Sequence, residues 1–203
     1  MEALMPFKST VATLGMVFLY YGMDVRHKAG ACYFVAPHWQ WLMKVCSFAL
    51  IAGFMWVAFS ANQISMTDWL SLAPVAAGTF CIVAAKRALG SAHTFTGQYL
   101  EQSGLVMHGI YALTRNPLYF GVSLCEVGAS IFVLRQAPAL LPQTYGYWLC
   151  AFATALLYAM AFNWNMAHKE ARFLEEHFGD TYRRYQSRVP FLIPSISLAK
   201  EHE

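Results

Sequence analysis

The sequence predicts an all-α, polytopic membrane protein of about five transmembrane helices, with a helical extension on the cytoplasmic side at its C-terminal end. Three observations predict it. Of the 203 residues, 58% are hydrophobic and only 12% are charged, a balance outside the range of soluble domains. Apolar runs of about 18 residues recur along the chain, close to the length a helix needs to cross a bilayer. The basic residues are also shared unevenly between alternate connections. One membrane domain over residues 1–203 is the expected organisation, with three spans in 1–87 and a more polar half in 88–194.

Span one is expected over Ser9–Met23. Only Lys8 precedes it and no small-residue cleavage site follows, so it reads as a retained span. Span two covers about Trp39–Ala61 and opens on Trp39 and Trp41, which suit the interfacial aromatic belt. The polar turn Asn62–Thr67 joins it in a hairpin to span three, Asp68–Ala85, which stops at Lys86-Arg87. The loop Ala88–Asn116 follows, and connections of that length are usually functional. Span four begins at Pro117, a residue suited to a helix first turn, and ends near Leu134. The connection Arg135–Thr144 carries Pro138 and Pro142. Span five runs from Tyr145 to about Phe162 and is expected to continue as a helix beyond the membrane, because Phe162, Met166, Phe173, Leu174 and Phe178 keep helical spacing up to the terminator Gly179.

With five spans, Arg26, Lys28, Lys44, Lys86, Arg87, Arg115, Lys169, Arg172, Arg183, Arg184, Arg188 and Lys200 share one side, against Lys8 and Arg135 on the other. This places the N-terminus outside and the long loop and C-terminal segment in the cytoplasm.

Several function classes find no support. No Gly-x-Gly-x-x-Gly follows a strand pattern, no Cys/His set has zinc spacing, and Gly-x-Ser-x-Gly is absent. Metal dependence is not expected. The net charge of +3 serves topology, and no nucleic-acid signal accompanies it. Cys32, Cys46, Cys81, Cys125 and Cys150 read as small packing residues.

Two polar blocks stand at the ends of the hydrophobic hairpin made by spans four and five. The first, Gly109–Gly121, carries Tyr111, Arg115, Asn116 and Tyr119. The second, Lys169–Pro194, carries Glu170, Arg172, Tyr182, Arg183, Tyr185 and a Val-Pro-Phe-Leu-Ile-Pro ending. Residue chemistry alone leaves two readings open: interfacial tyrosines with a snorkelling arginine, or the walls of a site.

The pattern Leu105-Val106, Gly109-x-Tyr111, Arg115-Asn116-Pro117-x-Tyr119-x-Gly121, then Glu170-x-Arg172-x-Leu174, Phe178-Gly179, Tyr182, Tyr185, Val189-Pro190 and Ile193-Pro194 resembles the isoprenylcysteine carboxyl methyltransferase family. That family is similar in turn to membrane phospholipid N-methyltransferases. The resemblance covers roughly Leu89–Pro194 and implies a methyltransferase using S-adenosyl-L-methionine. It assigns cofactor binding to Val106, His108, Gly109, Tyr111, Arg115, Asn116, Tyr119, Glu170 and Leu174, and catalysis to Glu170, Arg115 and Arg172. It implies a lipid or lipid-like acceptor that enters from the bilayer, with carboxyl O-methylation of a prenylcysteine-type molecule as the first expectation. Phospholipid N-methylation, methylation of a small thiol, an NADPH-dependent sterol-type reductase and a small transporter remain as alternatives. The family pattern usually has His at 116, Pro at 110 and a second acid at 171, where this chain has Asn, Ile and Ala; Asn still donates and accepts hydrogen bonds.

Glu126 is a candidate catalytic residue that no motif supplies. Tyr119, Ser123, Glu126 and Ser130 recur at helical steps and share one stripe of span four, with Glu126 about 10 Å deeper than Tyr119 at 1.5 Å of rise per residue. Ionisable groups inside a span face a protein interior or cavity. Glu126 is therefore expected either to line the acceptor pocket or to hydrogen-bond a neighbouring span. Gly121 and Gly128 lie on another face, suited to close helix packing.

Overall fold

The computed structural model describes residues 4–23, 31–90, 98–100 and 104–194. Arg26, Lys28 and Lys200, which enter the charge count, lie outside the described residues, as does part of the Ala88–Asn116 loop. Helix α1 covers Leu4–Gly22, α2 Pro37–Ser60, α3 Met66–Leu89, α4 Pro117–Leu140, α5 Tyr145–Phe178 and α6 Asp180–Arg188. Strands β1 (Ala31–Tyr33) and β2 (Gln98–Leu100) form a small antiparallel ribbon that pairs Cys32 with Tyr99. A 3-10 helix spans Gly109–Ala112.

Four helices, α2 to α5, are long and apolar enough to cross a membrane. The fifth expected span forms as α1 but is not among these four, since Lys8, Ser9, Thr10 and Thr13 dilute its first half. It nevertheless runs the height of the bundle. At one end Lys8 Nζ donates to the Phe59 carbonyl at 2.7 Å, one of the last carbonyls of α2, which has no partner further along the helix. At the other end the Arg87 guanidinium stands 6.0 Å from the Tyr21 ring centroid.

Local chemistry sets the boundaries. Ser65 caps α3 in a reciprocal box with Asp68, an arrangement whose cap contributes about 1 kcal/mol. Gly90 at φ 57° ends that helix, one turn beyond the stop expected at Lys86-Arg87. Lys86, in that last turn, is buried, at 4% exposure. Helix α4 likewise outruns its expected end at Leu134 and passes through Pro138 to Leu140. Its last turns are held sideways: Arg135 Nε meets Asp68 Oδ1 at 3.2 Å, Arg135 Nη2 donates to Ser65 Oγ at 2.9 Å, and Gln136 Nε2 donates to Asp68 Oδ2 at 3.1 Å. These bonds offset the amide that Pro138 cannot donate. Helix α5 continues to Phe178 as expected, and Gly179 closes it at φ 49°.

Two apolar centres stack along the bundle. Phe7, Val11, Phe54, Val57, Phe132 and Val133 fill the end near the α2–α3 turn. Met23, Met43, Tyr119, Ala159, Phe162 and Met166 fill the end where both polar blocks lie. Between α3 and α4 the backbones nearly touch, with Gly78 against Gly121 and Gly128 against Ser71.

Candidate functional site

The two polar blocks fold onto each other. Arg115 is the pin: its backbone amide donates to the Pro190 carbonyl at 2.9 Å and its Nε to the Val189 carbonyl at 3.0 Å. Its guanidinium carbon also lies 5.4 Å from the Phe191 ring centroid and 6.0 Å from that of Tyr182. Asn116 Nδ2 donates to the Phe191 carbonyl at 2.8 Å, and Thr114 Oγ1 to the Leu192 carbonyl at 2.8 Å. Tyr185, buried on α6, donates its hydroxyl to the Tyr111 carbonyl at 2.6 Å. The non-helical segment 189–192 would otherwise leave its carbonyls unpaired, so the Arg115 amide and a clasp of side chains replace a strand partner.

Behind this clasp lies the polar centre. Tyr119 projects from the first turn of α4 and donates its hydroxyl to Glu170 Oε2 on α5 at 3.1 Å. Buried Lys86, at the C-terminal end of α3, acts electrostatically on Glu170. Tyr111 also feels that carboxylate: burial first, then the Glu170 charge and Tyr185, push its phenol above its ordinary value. The phenol is therefore protonated at neutral pH and serves as a donor or an aromatic face. Burial raises the Tyr185 phenol as well, more than Arg115 lowers it. Helices α3, α4 and α5 and the 3-10 helix thus bring one carboxylate, one ammonium and two tyrosines together at one end of the bundle.

The other expected site residues divide. Gly109 has φ 62° and no atom within 4 Å of where a Cβ would stand, so the backbone beside it is open to a ligand. His108 caps the 3-10 helix from an exposed position, while Val106 and Leu174 are half-buried. Arg172 is exposed and, two residues beyond Glu170, projects from another face of α5, so the structure does not bring it to the centre. Glu126 lies seven residues further along α4, in a separate cleft.

Two buried polar residues were not singled out by sequence reasoning as site residues. Lys86 counted only as a topology charge, and the pairing of three helix ends, which no local pattern encodes, turns it inward. Asn163 is 3% exposed, and its Nδ2 has no partner among the described residues. The polar residue inside the apolar run Ala161-Phe162-Asn163-Trp164 was the available signal for it.

Among the described residues no group of three or more His, Cys, Asp or Glu could hold a metal ion. Comparison with known proteins gives the chain relatives. The sequence profile of the phospholipid methyltransferase family matches residues 66–181, more than half of the chain. The match begins at Met66 and so takes in all of α3, which the resemblance over Leu89–Pro194 omitted. Protein-S-isoprenylcysteine O-methyltransferase A of Arabidopsis thaliana is 29% identical over 105 residues, 52% of this chain and 47% of that protein. The matched stretch therefore spans about half the length of that relative.

Proposed function

The chain belongs to the phospholipid methyltransferase family, and from that premise we propose that it is an integral membrane methyltransferase, using S-adenosyl-L-methionine on a lipid-like acceptor at the cytoplasmic face. The observation that carries the proposal is the Tyr119–Glu170 hydrogen bond of 3.1 Å, which joins the two motif blocks inside the bundle. The residues present suit the cofactor. Glu170 would meet its ammonium or ribose hydroxyls, the Tyr111 and Tyr119 rings its sulfonium, and the open backbone at Gly109 its adenine or carboxylate. A cation over an aromatic face contributes about 0.5–2 kcal/mol, depending on desolvation.

The bound cofactor supplies an electrophilic methyl group, and the chain supplies position and dryness. Methyl transfer needs the attacking atom in line with the breaking bond, so orientation and water exclusion carry most of the catalysis. The clasp of 189–192 onto Thr114, Arg115 and Asn116 covers the polar centre on its outer side. Carboxyl O-methylation of a prenylcysteine-type molecule remains the first reading of the acceptor, in line with the name of the Arabidopsis relative. The site favours it over amine methylation: a carboxylate is already ionised at neutral pH, whereas an ammonium needs a base. Around Glu170 the tyrosines stay protonated, and Glu170 itself is engaged by Tyr119. Buried Lys86 and half-buried Arg115 are cations at this end that could orient an acceptor carboxylate.

Calorimetry of S-adenosylhomocysteine binding to the detergent-solubilised protein tests the proposal. Wild type is expected to bind. Glu170→Gln is expected to weaken binding at least tenfold, and Tyr119→Phe by a smaller factor, because the ring remains. A wild type that does not bind, or a Glu170→Gln variant that binds equally well, overturns it.

A further inference from the structure

Asn163 stands on α5 with its side chain buried, and its Nδ2 has no hydrogen-bond partner among the described residues. Other polar side chains on the long helices show how such a group is ordinarily met. Asn165, two residues on, donates to the Ala161 carbonyl at 2.8 Å, Ser123 to the Tyr119 carbonyl at 3.0 Å, and Tyr158 to the Trp39 carbonyl at 2.9 Å. The Asn163 amide takes neither a carbonyl of its own helix nor one of a neighbour. A buried donor in that state has given up its hydration and gained nothing in return.

Its position says what would meet it. Asn163 precedes Glu170 by seven residues, two turns of helix, so the two side chains share one face of α5. Ala159, Met166 and Ala167 lie on that face too and are buried in one cluster with Tyr119. At 1.5 Å of rise per residue, Asn163 is about 10 Å from Glu170 along the helix axis, toward the middle of the span. A lipid-like acceptor that enters from the bilayer reaches the Tyr119–Glu170 centre from this side.

We propose that Asn163 binds the head of the methyl acceptor, with its Nδ2 N–H groups donating to the acceptor carboxylate. The inference rests on the methyltransferase reading of the Tyr119–Glu170 centre and deepens it, by giving an anionic head a donor on the membrane side of that centre. A neutral amide suits the place. It holds one carboxylate oxygen without the desolvation cost of a further buried charge, and it leaves the other oxygen free to attack. Turned about its last bond, the same amide would offer Oδ1 to an ammonium, so the charge placed at position 163 is the handle for the test.

The test uses the full chain in detergent, loaded with S-adenosylhomocysteine so that nothing turns over. Two probes share a farnesyl tail: N-acetyl-S-farnesylcysteine, with a carboxylate head, and S-farnesylcysteamine, with an ammonium head. Calorimetry reads the affinity for each. Asn163→Leu, close to asparagine in size, is expected to weaken carboxylate binding about tenfold or more and to leave ammonium binding within about threefold. Asn163→Asp is expected to weaken the carboxylate probe and strengthen the ammonium probe, a swap of preference that a merely structural role would not produce. Without probes, Asn163→Leu is expected to unfold at or above the wild-type midpoint, because no bond within the fold is lost and an unpaired amide is removed. A midpoint several degrees lower would show that the fold itself holds Asn163, and overturns the proposal. Carboxylate binding that is undetectable in wild type, or equal in wild type and Asn163→Leu, overturns it as well, and so does an unchanged preference in Asn163→Asp. Should Asn163→Asp fail to fold, the comparison with Asn163→Leu decides alone. Wild-type S-adenosylhomocysteine binding reports the underlying reading separately: its absence removes the premise, whereas cofactor binding beside an indifferent Asn163→Leu overturns this inference alone.

Discussion

Substituting Gly78 by alanine should loosen the fold and the candidate site together. A Cβ on Gly78 would collide with the Gly121 carbonyl oxygen and stand 2.7 Å from Cys125 Sγ and 2.9 Å from the Cys125 amide nitrogen. Backbone atoms cannot change rotamer, so α3 and α4 must part. Overpacking of this kind costs about 1–3 kcal/mol. For a chain of this size each kcal/mol lowers the midpoint by about 2–4 °C, so a fall of about 2–12 °C is expected. Gly53 is the control, because no atom lies within 4 Å of its added Cβ, and alanine there gains up to about 1 kcal/mol of helix propensity. Thermal unfolding in one detergent compares the two variants. The site should respond as well, since Lys86 follows Gly78 on α3 and Tyr119 precedes Gly121 on α4. S-adenosylhomocysteine affinity of the Gly78→Ala variant, measured well below its midpoint, should fall severalfold. Equal midpoints for the Gly78→Ala and Gly53→Ala variants would refute the reasoning.

Arg115→Lys keeps the charge but loses the Nε bond to the Val189 carbonyl, and lysine cannot reproduce the fork; trypsin cleavage after Arg188 should quicken severalfold, and an unchanged rate would deny the clasp. Burial, then Glu170, raise the Tyr111 phenol above its ordinary value, so its contribution to stability is intact below about pH 10 and is lost as pH climbs through the folded value. Tyr111→Phe should therefore flatten the alkaline decline of the unfolding midpoint above pH 10, and an unaltered slope would count against that burial. In a cysteine-free background, thiol labelling of Gln143→Cys and Arg184→Cys should occur from opposite sides of the membrane, with position 184 cytoplasmic; labelling from the same side sinks the five-span topology.

Much of this was legible because helices across a membrane announce themselves through length and apolarity. Pro117 and Gly179 marked true boundaries, and the tyrosines and the acid that meet at the centre lay in motifs with local spacing. What stayed hidden depends on contacts distant in sequence. The passage of α4 through Pro138 is held by Asp68 and Ser65, about 70 positions away, so no local rule could carry the helix past a proline. Lys86 turns inward only because α3 and α4 fit glycine to glycine and α5 brings Glu170 within reach. The ribbon of Cys32 with Tyr99 joins segments too short to show alternation. Arg115 and Asn116 belonged to the motif, yet their bonds to the 189–192 carbonyls depend on a chain reversal through the whole of α4, α5 and α6.

The basic residues that bias topology are also the ones that build each end of the bundle. At the end holding the candidate site, Lys86 acts on Glu170, Arg115 pins 189–190, Arg87 covers Tyr21 and Lys169 Nζ donates to the Phe34 carbonyl at 3.2 Å. At the opposite end Lys8 satisfies a carbonyl of α2, and Arg135 is paired with Asp68, which is fully buried. An arginine neutralised by an adjacent carboxylate presents little net charge to a membrane, and this discount applies to Arg135 at one end and to Arg183, which meets Glu175 and Asp180, at the other. Basic residues stand where Glu170 needs a cation and, in the proposed orientation, where anionic headgroups of the cytoplasmic leaflet would gather. Orientation and site assembly then draw on the same side chains: a change that removes a cation from the site end weakens the centre and the topology signal at once, whereas one at Arg135 disturbs the α3–α4 fastening and leaves the bias intact.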